Sequence, residues 1–158
     1  MSAAAVAPRA TLRDIVPADL ARVVEIDSRH RGAALPDYWS GVRDAFLAGG
    51  REHVRVALGA EVEGRLAGFL FGEVRAFEFG SEPCGWIFAV GVDGDAQRSG
   101  LGSALLAEAC RRFHAAGITK IRTMVRRADV PVLAFFRAHG FAAGEFTQLE
   151  LELPTEGR

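Results

Sequence analysis

Hydrophobic spacing changes period several times along the chain, and each change marks an element. Thr11 to Asp14 reads as a short first strand. Pro17 then fits a first helical turn, where its missing N–H costs nothing. Leu20, Val23, Val24 and Asp27 follow at helical spacing, with Arg22 and Glu25 off that face. A second helix is predicted after Asp37 as N-cap, with Trp39, Val42 and Phe46 inward and a stop at Gly49-Gly50. The period then shortens to two. Val54, Val56 and Leu58 alternate with His53, Arg55 and Ala57, as in a half-buried strand. Glu63-Gly64 turns the chain into a more apolar strand from Leu66 to Val74, closing a hairpin. Its alternation slips near Ala76 and Phe77, which predicts a bulge or an early end, and Gly80 to Pro83 leads into a third strand, Trp86 to Val92.

The second half alternates strand and helix. Gly100 to Ala116 reads as a strong helix with Leu101, Leu105, Ala109 and Phe113 on one stripe and Gly117 as C-cap. Ile118 to Val125 reads as a strand, Val132 to Ala138 as a short helix ended by Gly140, and Phe146 to Leu153 as a closing strand. In the last, Leu149, Leu151 and Leu153 alternate with Glu150 and Glu152. An antiparallel hairpin feeding strand–helix–strand units implies a mixed sheet flanked by helices.

Composition narrows the function classes. The 158 residues are 49% hydrophobic and 25% charged, the balance of one globular domain rather than of a disordered or fibrous chain. No composition break divides them, so a single domain is expected over 11–153, between tails at 1–10 and 154–158. The net charge is −1, which points away from nucleic acid or an anionic membrane as principal partner. No apolar run reaches the roughly 20 residues of a membrane span. The Ala-rich start, Met1 to Ala7, lacks a basic n-region and reads as a flexible tail rather than a signal peptide. Cys84 and Cys110 have no CxxC spacing and read as reduced, largely buried thiols of a cytoplasmic protein. The histidines His30, His53, His114 and His139 show no paired metal-ligand spacing, and no metal is expected.

The chemistry is concentrated where Trp86 to Val92 runs into Asp93-Gly94-Asp95-Ala96-Gln97-Arg98-Ser99-Gly100-Leu101-Gly102-Ser103. The first N–H groups of a helix have no internal partner, and the aligned peptide dipoles make that end electropositive. Gly100 and Gly102 remove side chains that would keep an anion away, and Arg98 adds a full charge. The pattern suits a phosphate or pyrophosphate cradle; the other reading is a tight strand-to-helix turn without a ligand. Three rival motifs fail on spacing. A Walker loop needs Gly-Lys, which is absent; a Rossmann turn needs Gly where Leu105 stands; a calcium loop needs Gly at Arg98 and Glu at Ala104.

Gln97-Arg98-Ser99-Gly100-Leu101-Gly102 resembles the Q/R-x-x-G-x-G/A signature of the GNAT superfamily of acyl-CoA-dependent N-acyltransferases. Phe135-Phe136-Arg137-Ala138-His139-Gly140-Phe141 is similar to its second motif, Leu12-Arg13 through Asp19-Leu20 to its opening, and the element order matches from Thr11 to Leu153. The resemblance implies an α/β (α+β), three-layer GNAT-type fold, a mixed and mostly antiparallel twisted sheet flanked by helices. It implies acetyl-CoA as acyl donor, its pyrophosphate on Gln97, Arg98, Ser99, Gly100, Leu101, Gly102 and Ser103. The pantetheine arm would pair with the edge at Val90, Gly91 and Val92, a bulge would sit at Gly91, and a backbone N–H near Val90 or Val92 would polarise the thioester carbonyl. Asp129 and Phe136 would also lie at the cofactor. The implied activity is direct acetyl transfer to a primary amine, on a small molecule or a peptide, in a ternary complex. Because family members often dimerise, a homodimer stays open.

Departures from the family pattern matter. Phe136 stands where many members carry a Tyr thought to protonate the leaving thiolate, Asp129 where many carry Asn, and Met124 where some carry a basic Glu. Trp86 to Val92 holds no carboxylate. Candidate general bases are therefore Glu73 and Glu78, with Glu82 in the next turn, and Tyr38 either lines the substrate mouth or packs the second helix. Arg126-Arg127 would meet the 3′-phosphate of coenzyme A or an acidic substrate, or be solvated. These departures leave an alternative, a catalytically silent acyl-CoA-binding or regulatory module.

Overall fold

The structure is a computed structural model that describes residues 9–47, 54–76 and 78–155. Met1–Ala7, Gly49-Gly50, His53 and Phe77, which carried expectations above, lie outside the described residues. Cα packing divides the chain into two compact units, Met1–Met124 and Val125–Arg158.

The first unit is built on five strands: β1 (Thr11–Asp14), β2 (Arg55–Val62), β3 (Arg65–Arg75), β4 (Cys84–Val92) and β5 (Ile121–Thr123). They lie in the order β1-β2-β3-β4-β5; the first three pairings are antiparallel and β4–β5 is parallel. Glu63 and Gly64 both take positive φ, at 52° and 76°, the pair of left-handed residues that a tight hairpin turn requires. The helices are α1 (Leu20–Arg31), α2 (Pro36–Phe46) and α3 (Leu101–Ala115).

Side-chain alternation assigns the two sheet faces. Phe69 and Phe71 of β3 pack with Val23, Ile26 and Trp39 of α1 and α2. The opposite face meets α3, whose stripe of Leu101, Leu105, Ala109 and Phe113 is buried as its spacing predicts. Gly72 and Gly85 let that helix sit close, since a Cβ would stand 3.0 Å from the Phe113 ring at either position. The mixed sheet between two helical layers is the predicted three-layer arrangement.

Two bulges change which face a residue serves. The β2–β3 register skips Ala67, so Leu66 joins Phe69 and Phe71 on the α1–α2 face. The β3–β4 register runs from Phe71↔Ala89 to Gly72↔Ile87, leaving Phe88 as the extra residue. The bulge expected at Gly91 is thus three residues earlier. Gly91 is glycine for another reason: a Cβ there would stand 2.8 Å from the Phe69 ring.

Other boundaries move for local causes. Helix α2 begins at Pro36, because a proline at the first position presets the helical φ, so Asp37 lies inside the first turn instead of capping it. The strand expected over Ile118–Val125 shortens to β5, since Gly117 takes φ 83° and Ile118 still donates to Phe113 O at 3.0 Å.

In the second unit, α4 (Val130–Ala138) is capped by Asp129, whose Oδ1 accepts from Val132 N at 3.3 Å. The closing strand expected over Phe146–Leu153 does not form. Leu149, Leu151 and Leu153 are 89%, 84% and 78% exposed. Alternation specifies a face but supplies no partner strand, and a strand needs both.

Candidate functional site

The site begins where β4 loses its second neighbour. β5 pairs with Gly85, Trp86 and Ile87, and Thr123 Oγ1 donates to Ile87 O at 2.8 Å; no β4–β5 pairing continues beyond that point. Further along, Asp93 N donates to Ala67 O at 2.8 Å, which fixes the phase of the antiparallel ladder. Backbone groups alternate sides along a strand, so those of Val90 and Val92 point away from β3 toward the unpaired edge. His30 Nε2 donates to Val92 O at 2.7 Å.

Asp93 ends the strand, its buried carboxylate at the centre of an ion cluster that reaches the surface. Its carboxylate pairs with Arg22, and with Arg29 at 2.5 Å, while Arg22 also reaches Glu25 at 2.9 Å. Burial pushes the Asp93 carboxyl up, but the two guanidiniums outweigh it and hold it below the usual carboxylate range. This clamp ties α1 to the loop that follows β4.

The loop from Gln97 to Gly100 is exposed. Arg98 and Gly100 take φ 65° and 82°, left-handed values that turn the chain sharply into α3. Gly100 O accepts from Ala104 N at 3.0 Å, the first bond of the helix, so the N–H groups of Leu101 and Gly102 fall where a helix has no internal partner. A Cβ at Gly100 would meet no atom within 4 Å. Leu101 is buried, Gly102 and Ser103 are half-buried, and Arg98 stands exposed beside them. The arrangement fits a diphosphate: open space, an electropositive helix end and an exposed guanidinium beside it.

A groove of about 450 Å³ opens between α2 and the sheet, lined by Tyr38, Val42 and Phe46 of α2, Glu73 and Arg75 of β3, and the bulged Phe88. Glu73 and Arg75 share the α1–α2 face with Phe69 and Phe71. Arg75 donates to Glu73 Oε1 at 3.1 Å, and its guanidinium carbon lies 4.8 Å from the Trp86 ring centroid. Burial raises the Tyr38 hydroxyl pKa, keeping it a neutral phenol. Of the two predicted bases, Glu73 lines the groove. Glu78 does not; it opens a short 3₁₀ turn and its carbonyl accepts from Ser81 N at 2.8 Å.

The predicted residues thus fall into groups. Val90, Gly91, Val92 and Gln97 through Ser103 lie along one continuous path from strand edge to helix start. Asp129 and Phe136 belong to the second unit. There Asp129 caps α4, and Phe136 is buried with its ring edge-on to Phe135 and Phe141 at 5.2 and 5.0 Å. Arg75, Phe88 and the pairing of Asp93 with Arg22 and Arg29 were not singled out from sequence. Glu73 and Arg75 share the i, i+2 spacing of one strand face, and Tyr38, Val42 and Phe46 share a helical stripe, so two walls of the groove had a local signal.

A family model described as the acetyltransferase (GNAT) family matches residues 20–141. The chain therefore belongs to the GNAT acetyltransferase family. It is 35% identical over 91 residues to a mycothiol acetyltransferase of Saccharomonospora viridis, an alignment covering 56% of this chain and 30% of that protein. The chain thus spans about a third of the length of that relative. An aminoglycoside N-acetyltransferase solved with CoA has the same fold at 15% identity, with a TM-score of 0.79 over 95% of this chain and 99% of that one. A ribosomal-protein-alanine N-acetyltransferase of Brucella melitensis superposes with a TM-score of 0.72 at 16% identity, covering 92% and 100%.

Proposed function

We propose that the chain transfers an acetyl group from acetyl-CoA to a primary amine, by direct attack within a ternary complex. Residues 11–153 act as one acetyltransferase domain. The observation that carries the reading is the continuity of the open β4 edge with the glycine-rich start of α3. Arg98 and the N–H groups of Leu101, Gly102 and Ser103 hold the diphosphate, and the outward backbone of Val90 and Val92 aligns the pantetheine arm as an added strand would. The donor supplies an activated acyl carbon on a sulfur whose thiol titrates near ~8.5. Its departure needs no protein acid, which accommodates Phe136 in place of a tyrosine.

An amine must lose its proton before it attacks. Glu73 takes that proton, directly or through water. As the C–N bond forms and the C–S bond breaks, the N–H of Val90 or Val92 faces the carbonyl oxygen and stabilises its growing negative charge. No described helix is long and apolar enough to cross a membrane. With the buried free thiol Cys84, a reducing cytoplasmic setting suits the reading.

A thiol-release assay over a broad amine panel tests it. Release of coenzyme A with matching appearance of N-acetylated amine is expected. Binding of acetyl-CoA by calorimetry without any thiol release contradicts acetyl transfer and favours the silent binding module.

A further inference from the structure

The fold alone does not select an acceptor, since similar structures carry names as different as aminoglycoside and ribosomal-protein-alanine acetyltransferase. The groove of this chain is more particular. Among the described residues its charged lining is one carboxylate, Glu73, and one guanidinium, Arg75, so it is neutral. A second cation stands beside it, since the Arg55 guanidinium lies 5.1 Å from the Phe46 ring centroid. A polycation would meet one carboxylate, already shared with Arg75, and two arginines at close range. Like charges facing one another across a binding site are a strong barrier.

The two charges are arranged to hold a zwitterion. Glu73 and Arg75 project from the same face of β3, with backbones roughly 6.6 Å apart as for any i, i+2 pair. The Arg75 guanidinium lies over the Trp86 ring and its Nε donates to Glu73, so it is held from two sides, and a guanidinium held in place suits a two-point hold on a carboxylate. The rest of the lining is apolar: Phe46, Phe88 and Val42, with the Tyr38 ring at the rim, 43% exposed.

We propose that the acceptor is a free α-amino acid with an apolar, preferably aromatic, side chain. Its carboxylate binds Arg75, its ammonium faces Glu73, and its side chain lies against Phe46, Phe88 and Tyr38. Glu73 removes the ammonium proton, the amine nitrogen bonds to the acyl carbon, and the C–S bond breaks to give coenzyme A and an N-acetylamino acid. Arg75 is the specificity-determining residue. The inference rests on the acetyl-transfer reading above.

The test compares phenylalanine, phenethylamine (the same amine without its carboxylate) and kanamycin as acceptors, by thiol release at saturating acetyl-CoA. The wild-type chain is expected to use phenylalanine with kcat/KM at least about ten-fold above phenethylamine, and kanamycin least of the three. Arg75→Gln should bring the phenylalanine-to-phenethylamine ratio to about one, and Arg75→Lys, which keeps the charge but not the fork, should restore part of it. Equal or better use of phenethylamine or kanamycin by the wild type overturns the acceptor class and leaves acetyl transfer standing. A ratio unmoved in a folded Arg75→Gln variant does the same; should that variant fail to fold, the wild-type ratio and Arg75→Lys decide. Acetyl-CoA binding with no thiol released by any of the three overturns the acceptor class; only silence across the broad amine panel overturns acetyl transfer with it.

Discussion

The two halves of β4 differ in one respect, and the chemistry follows from it. Cys84 to Ile87 is hydrogen-bonded to β3 on one side and reached by β5 on the other, and Gly85 lies against Phe113 of α3. From Phe88 to Val92 the same strand keeps β3 but has no β5 partner. The single extra residue at Phe88 separates the halves. It turns Ala89 and Gly91 onto the α1–α2 face, whereas Ile87 serves the α3 face. A strand paired on both sides can offer a ligand its side chains but not its backbone, whose polar groups are fully used. A strand paired on one side keeps donors and acceptors for a ligand, the property that makes free edges a hazard elsewhere.

The free half needs an anchor, and Asp93 supplies it. Asp93→Asn removes the buried carboxylate of the pair and leaves Arg22 with Glu25 as its remaining anionic partner, and should cost about 3 kcal/mol in denaturant unfolding. The same group predicts the acid limb. Its folded pKa lies below the ordinary 3.8, so its contribution is complete above that pH and is lost as pH falls below it. Asp19, held down by its hydrogen bond from Arg13, acts in the same direction. The melting temperature should therefore decline as pH falls below about 4, and less steeply in Asp93→Asn.

Next in size is the cradle. Reversing the charge of exposed Arg98 with Arg98→Glu should weaken acetyl-CoA binding about 100-fold by calorimetry, equivalent to about 2.7 kcal/mol, with little change in unfolding midpoint. Opposite the doubly paired half, on β3, a substitution should affect stability instead of donor binding. Gly72→Ala would bring a Cβ within 2.9 Å of Trp86 O, a backbone atom that cannot move aside. It should cost about 2 kcal/mol of stability, read by denaturant unfolding. The smallest effect belongs to the boundary itself: Thr123→Val removes the bond to Ile87 O and should lower stability by about 1 kcal/mol.

How much of this was legible in the sequence varies with how local each cause is. The α3 stripe is set by residues within a turn or two and was readable, as was the strand Thr11–Asp14; the left-handed Gly100, read as the first helical residue, was not. The bulge was not, because skipping Phe88 depends on how Phe71 and Gly72 align across the ladder, which no single strand encodes. Its displacement from Gly91 shows that a glycine in a strand can mark close packing instead of a bulge. The groove joins residue 38 to residue 88 through tertiary packing, so Glu73 could be nominated beside Glu78 but not chosen over it. Leu149, Leu151 and Leu153 show the converse: a clear period-two pattern with no strand.

Hydrogen–deuterium exchange with and without acetyl-CoA addresses the central claim most directly. Amides of Phe88–Val92 and Arg98–Ser103 should slow on addition of the donor, while those of Cys84–Ile87 stay as they were. Unchanged exchange across Arg98–Ser103 at a saturating donor concentration would contradict the assignment of the diphosphate to the start of α3.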